Sequence, residues 1–157
     1  MNFTGLLCSL IYKIYYMAHT KKIKGIIAIL TGGGDVPGLN PAIRAITIRA
    51  NREGFKVIGL RRGWAGITEL VRDKKADNSK SFMVLTNDIV NKAGRTGGTF
   101  LHSSRTKPSK MPKANVPEHL KDAYNEEIND LTPEVIKNLD WLGVDYLIPI
   151  GGDDTLS

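Results

Sequence analysis

The sequence predicts an α/β protein, a three-layer sandwich built on a mostly parallel sheet, and three observations carry that prediction. Two short apolar runs, Gly25 to Leu30 and Tyr146 to Ile150, each end in a glycine-acid turn: Thr31-Gly32-Gly33-Gly34-Asp35 and Gly151-Gly152-Asp153-Asp154. A continuous apolar run of this length closed by a turn is the pattern of a strand buried on both faces, as parallel strands are between helical layers. The third observation is a helix-period segment from Asn40 to Gly54 followed by another apolar run, Lys56 to Leu60. Strand, glycine turn, helix and strand in that order make a right-handed βαβ unit.

The elements follow in chain order. Phe3, Leu6, Leu7, Leu10, Ile11, Ile14, Tyr15 and Tyr16 form an apolar patch broken by Lys13, too short and too interrupted for a signal peptide or a membrane span. Translation is expected to start at Met17, which makes residues 1–16 a non-native or disordered leader and residues 17–157 the N-terminal part of an α/β domain that is expected to be incomplete at its C-terminus. In the first helix Asn40 is the expected N-cap, Pro41 the first helical residue and Gly54 the C′ residue, with Ile43, Ile46 and Ala50 as the core stripe. Residues 72–81 are polar and read as a loop, and Phe82 to Leu85 as a short strand. The stretch from Gly94 to Thr99 is turn-rich, with Phe100 and Leu101 placed to anchor it in the core. Three prolines among lysines between Thr106 and Pro117 argue against helix. Thr132 caps the next helix with Pro133 at its first position, and Val135, Ile136, Leu139 and Leu142 form its stripe before Gly143. Pro149 belongs at the end of the last strand, because a central strand needs its amide donors.

Composition narrows the class. The chain has 157 residues, 41% of them apolar and 7% aromatic, which is a soluble globular balance and enough to bury a core. Its formal charge is +6, but the cations are scattered among acids, and the densest basic stretch, Arg105, Lys107, Lys110 and Lys113, has no aromatics to stack on bases. The expected partner is therefore a small polyanion and not nucleic acid. Cys8 is the only cysteine, so there is no disulfide framework or thiolate metal site, in keeping with a reducing cytoplasm. His19, His102 and His119 are too dispersed for a zinc site.

The chemistry lies in the glycine turns. Where a parallel strand turns into a helix, glycines let the backbone come close to a ligand, while the exposed amides and the helix dipole favour negative charge. An acid in such a turn cannot bind phosphate directly, so Asp153 is expected to hold a divalent metal that bridges to phosphate oxygens, or else to be an ordinary turn aspartate. The turns match neither G-x-G-x-x-G with its ribose-binding acid nor G-x-x-x-x-G-K-[ST], which weakens the dinucleotide oxidoreductase and P-loop readings.

Four ordered blocks form a more specific signature. Thr31-Gly-Gly-Gly-Asp-Val-Pro-Gly-Leu-Asn-Pro-Ala-Ile-Arg44, Gly63-Trp64-Ala65-Gly66, Gly97-Gly98-Thr99-Phe100-Leu101-His102-Ser103-Ser104-Arg105 and Gly151-Gly-Asp-Asp-Thr155 resemble the phosphofructokinase family in type, order and spacing, over about Gly25 to Ser157. The resemblance implies magnesium-dependent phosphoryl transfer from ATP or pyrophosphate to the 1-hydroxyl of fructose 6-phosphate, in glycolysis, by a cytoplasmic homo-oligomer. It implies that Gly34 meets the donor phosphates, that Arg105 lies on the transferred phosphoryl group with Thr106 beside it, and that Asp153 holds Mg2+. Gly152, Asp154 and Thr155 would complete the second phosphate loop. Trp64 is either the aromatic near the nucleotide base or a packed core residue. Arg44, where some bacterial members bind an effector, reads better as a helix-surface cation.

Two positions depart from the family pattern. His102 stands where the family usually has glycine, and Asp154 where many ATP-using members have glycine, a substitution similar to that of pyrophosphate users. Family members continue with a T-x-D-x-D motif whose middle aspartate is the general base. No such motif occurs before Ser157, so the resemblance implies an N-terminal fragment with the donor side of the site, inactive alone, with an exposed sheet edge and poor solubility. A non-catalytic phosphate- or nucleotide-binding module, and a lipid- or NAD-kinase relative sharing only the Gly-Gly-Asp turn, stay open beside it.

Overall fold

The computed structural model describes residues 23–34, 36–93 and 97–156; the expected leader, Asp35 and the Gly94-Arg95-Thr96 part of the turn-rich segment lie outside them. β1 (Ile26–Thr31) lies inside a four-stranded sheet of order β3-β2-β1-β6. β2 (Lys56–Leu60) and β6 (Tyr146–Ile150) flank it, both parallel, and β3 (Phe82–Leu85) pairs antiparallel with the outer side of β2. Strand alternation sends side chains to two separate cores. Ala28, Leu30, Ile58 and Leu60 pack on one face with Ile67 of α2 (Trp64–Thr68) and Val135 of α4 (Thr132–Trp141). Ile29 and Val57 pack on the other with Ile43 and Ala50 of α1 (Leu39–Glu53) and Val90 of α3 (Asn87–Ala93). The result is the expected three-layer α/β sandwich.

Beyond the sheet, the two-residue strands β4 (Met111–Pro112) and β5 (Ile128–Asn129) pair antiparallel beside a third cluster of Met111, Val116, Leu120 and Leu131. The proline-lysine segment holds only short 3-10 turns at Pro108–Lys110 and Lys113–Asn115. Residues 72–81 form a loop, and Pro149 is the penultimate residue of β6. α5 (Asp153–Leu156) follows after Gly151 and Gly152.

Two helix starts differ from the sequence reading. α1 begins at Leu39 with Gly38 as its cap. Asn40 is already helical, and its side chain serves a distant loop. Gly54 closes the helix at φ +92 as expected. α4 begins at Thr132 with Leu131 as its cap, and Asp130 Oδ1, one residue earlier, accepts from the Thr132 amide at 2.9 Å. Hydrogen bonds from the Thr132 hydroxyl and amide hold the Asp130 carboxyl below its ordinary range. The α4 stripe also differs: Ile136 is 55% exposed, whereas Glu134 and Asn138 are buried. The cause is a polar network. Glu134 accepts from Arg72 and from Lys137, both at 2.8 Å, and Asn138 donates to the Ile67 carbonyl at 2.7 Å, tying α4 to α2.

Candidate functional site

Because β1 and β6 are adjacent and parallel, both glycine turns leave the sheet at the same edge. The Gly32 amide donates to the Ile150 carbonyl at 3.0 Å, joining them. Together they line one cleft of about 600 Å³, with Gly32, Gly33 and Gly34 on one side, Gly151, Gly152 and Asp153 on the other, and Val36, Leu39 and Ile150 as apolar wall. The closeness of the turns depends on two glycines. A β-carbon at Gly32 or at Gly151 would run into the Thr155 side chain, and one at Gly151 would also lie 2.8 Å from the Gly32 carbonyl oxygen.

Thr155 therefore sits beneath the cleft and not in its lining. It is 2% exposed, wedged against both turns, and its hydroxyl has no hydrogen-bond partner among the described groups. Trp64 supports the same point from the core side. Its indole packs against the cluster around Leu30 and Leu60, and its Nε1 donates to the Thr155 carbonyl at 3.1 Å.

The block before Arg105 is fixed along its length. Leu101 is fully buried against Gly59, where a β-carbon would come within 3.0 Å of Leu101 Cδ1. Asn40 Nδ2 donates to the Gly98 carbonyl at 2.7 Å, and its Oδ1 accepts from the Phe100 amide at 2.8 Å. Further on, the Arg62 amide donates to the Leu101 carbonyl, the Thr31 hydroxyl to the His102 carbonyl at 2.9 Å, and the Gly33 amide to the Ser104 carbonyl at 3.3 Å. The segment thus runs beside the first glycine turn. His102, where the sequence reading questioned close backbone approach, adopts φ +57, the left-handed region that favours glycine.

These contacts bring Gly34, Gly152 and Asp153 into one cleft. Arg105 and Thr106 line a separate, strongly cationic opening of about 360 Å³ with Lys107 and Lys110. Asp154 falls in α5, with its side chain outside the described part. Among the described residues Asp153 is the single acid lining the cleft, and no group of three or more His, Cys, Asp or Glu is placed to hold a metal. One exposed carboxylate facing a phosphate-sized cleft fits Mg2+, which keeps several waters and is bound by one or two carboxylates plus substrate phosphates. Sequence reasoning missed Asn40 and Gly59 as supports of the site. A buried glycine within the apolar strand Lys56–Leu60 was the available signal for the last.

Fold and site together define an α/β protein with one cleft between paired glycine turns. A sequence profile described as Phosphofructokinase matches residues 26–157. The chain is 42% identical over 130 residues to the pyrophosphate--fructose 6-phosphate 1-phosphotransferase of Dictyoglomus thermophilum, an alignment covering 83% of this chain and 30% of that protein. It is 39% identical over 134 residues to the ATP-dependent 6-phosphofructokinase 2 of Clostridium perfringens, covering 83% and 32%. Among solved structures it is similar to Pichia pastoris phosphofructokinase in the T-state, with a TM-score of 0.64 and 25% identity over 87% of this chain and 13% of that one. The chain belongs to the phosphofructokinase family, and it spans about 30% of the length of the curated relatives it matches.

Proposed function

We propose that this chain forms the donor side of a 6-phosphofructokinase, which transfers a phosphoryl group from ATP or pyrophosphate to the 1-hydroxyl of fructose 6-phosphate. The observation that carries the reading is the single cleft between the two glycine turns, with Asp153 its only acid among the described residues. Backbone amides of Gly34 and Gly152 would meet donor phosphate oxygens, as glycine turns at strand ends do. Asp153 would hold Mg2+, which when bound neutralises charge on the phosphates. Arg105, held beside the first turn by the Gly33 to Ser104 hydrogen bond, would bring its planar fork to the transferred group, with Thr106 next to it. Thr155 and Trp64 would act from below, keeping the turns at their spacing.

The general base for the sugar hydroxyl would come from outside these residues. Among the described residues no helix is long and apolar enough to cross a membrane, and the proposed setting is the cytoplasm, in a homo-oligomer. Asp154, an acid where many ATP-using members have glycine, resembles the pyrophosphate-using members; some ATP users carry an acid there too, and both donors are proposed. Calorimetric titration with each donor and Mg2+ tests the reading. Saturable binding that needs Mg2+ and is lost in Asp153→Asn supports it; equal binding by parent and variant, or none with either donor, rejects it.

A further inference from the structure

Away from the donor cleft, an opening of about 610 Å³ is lined by Arg61, Arg62, Ser79, Lys80, His102 and Ser103. No acid lines it. The Arg62 guanidinium is already engaged in a two-pronged ion pair with Glu69, one prong at 3.0 Å. Arg61 has no ion pair among the described residues, and Lys80 feels the Asp77 carboxylate across space without pairing to it. Two cations and the hydroxyls of Ser79 and Ser103 therefore face the same space.

The backbone gives a second, independent observation. Among the described residues the non-glycine positions in the left-handed region are Arg62 and His102, each at φ +57, and both line this opening. That conformation costs about 1–2 kcal/mol per residue, and such outliers persist where the surroundings over-determine them, often at ligand sites. Here the Arg62 amide is bound to the Leu101 carbonyl at 2.8 Å, and the His102 carbonyl to the Thr31 hydroxyl at 2.9 Å.

We propose that this opening is a second anion site, distinct from the donor cleft, that takes a dianionic phosphoryl group as free phosphate or as a small phosphate monoester. The two cations, neither in an ion pair among the described residues, match the two charges of that group, and the guanidinium of Arg61 presents a planar fork to its oxygens. The volume accommodates a phosphoryl group with a small organic body. None of its lining residues is shared with the donor cleft, so the proposal stands or falls apart from the donor reading.

The test follows backbone amide shifts of the 15N-labelled chain titrated with inorganic phosphate and, separately, with glycerol 3-phosphate. Saturable shifts at Arg61, Lys80 and Ser103 are expected, with affinity about tenfold weaker in Arg61→Gln/Lys80→Gln, a change of about 1.4 kcal/mol. The charge-preserving Arg61→Lys/Lys80→Arg variant should keep most of the affinity, which separates loss of charge from loss of fold. Tighter binding of the ester than of phosphate identifies an organic body in the site, and equal binding identifies phosphate alone. Shifts confined to the glycine turns, or affinity unchanged in Arg61→Gln/Lys80→Gln, would overturn the proposal.

Discussion

Replacing Asn40 isolates the contact that joins the first glycine turn's helix to the Arg105 segment. Its amide makes one hydrogen bond as donor, to the Gly98 carbonyl at 2.7 Å, and one as acceptor, from the Phe100 amide at 2.8 Å, and the residue is 8% exposed. Each such bond is worth about 1 kcal/mol net, and truncation leaves both backbone groups without their partner. Asn40→Ala should therefore cost about 2–3 kcal/mol, a melting point lower by about 5–10 °C in a chain of this size. Asn40→Asp gives a sharper comparison. One carboxylate oxygen can still accept from Phe100, but the other would face the Gly98 carbonyl as a second acceptor, so the folded state favours the protonated acid and raises its pKa. Asn40→Asp should be as destabilised as Asn40→Ala at neutral pH and gain on it as the pH falls through the carboxylate range, where the acid regains a donor. Urea titrations of the three proteins at neutral and acid pH decide this. An Asn40→Ala variant within about 0.5 kcal/mol of the parent, or an Asn40→Asp variant that gains nothing on acidification, refutes the reasoning.

Three further outcomes are expected. His102→Gly should raise the urea midpoint, because relief of the φ +57 strain, about 1 kcal/mol, outweighs the roughly 0.5 kcal/mol of extra backbone entropy glycine brings to the unfolded chain. Gly32→Ala should destabilise by about 1–3 kcal/mol through its clash with the Thr155 hydroxyl and methyl, and Thr155→Ala, which removes both, should recover part of that loss in a double-mutant cycle. The hydrogen bond from Lys137, followed by that from Arg72, holds the Glu134 carboxyl below its ordinary range despite burial. A carboxyl lowered on folding stabilises above its unfolded pKa and loses that contribution as the pH falls through the folded value. Glu134→Gln should thus be less stable than the parent at neutral pH by about 1 kcal/mol, a figure kept small by the exposure of both cations, and the gap should close in acid.

The layers and the two turns were legible because both signals are local. Apolar runs such as Gly25 to Leu30 and Tyr146 to Ile150 end in glycines, and helix and strand periods alternate between them. The reading failed where a residue serves something far away. Asn40-Pro41 has the local pattern of a helix cap, yet its side chain bonds to residues 58 and 60 positions downstream. Glu134 and Asn138 interrupt an apolar period because Arg72 and the Ile67 carbonyl await them across the layer. The helices over Trp64–Thr68 and Asn87–Ala93 are too short to show a period. At His102 the resemblance alone raised a question about glycine, and the backbone angle supplies its physical content.

Paramagnetic relaxation tests the central claim most directly, that the two glycine turns form one metal-assisted donor cleft. Mn2+ takes the place of Mg2+, and amide line widths of the labelled chain are recorded with and without pyrophosphate or ATP. The account predicts broadening at Gly152 and Asp153, extending to Gly33 and Gly34 when a donor is present, and lost in Asp153→Asn. Broadening that never reaches the first turn, or that survives removal of the Asp153 carboxylate, would contradict it.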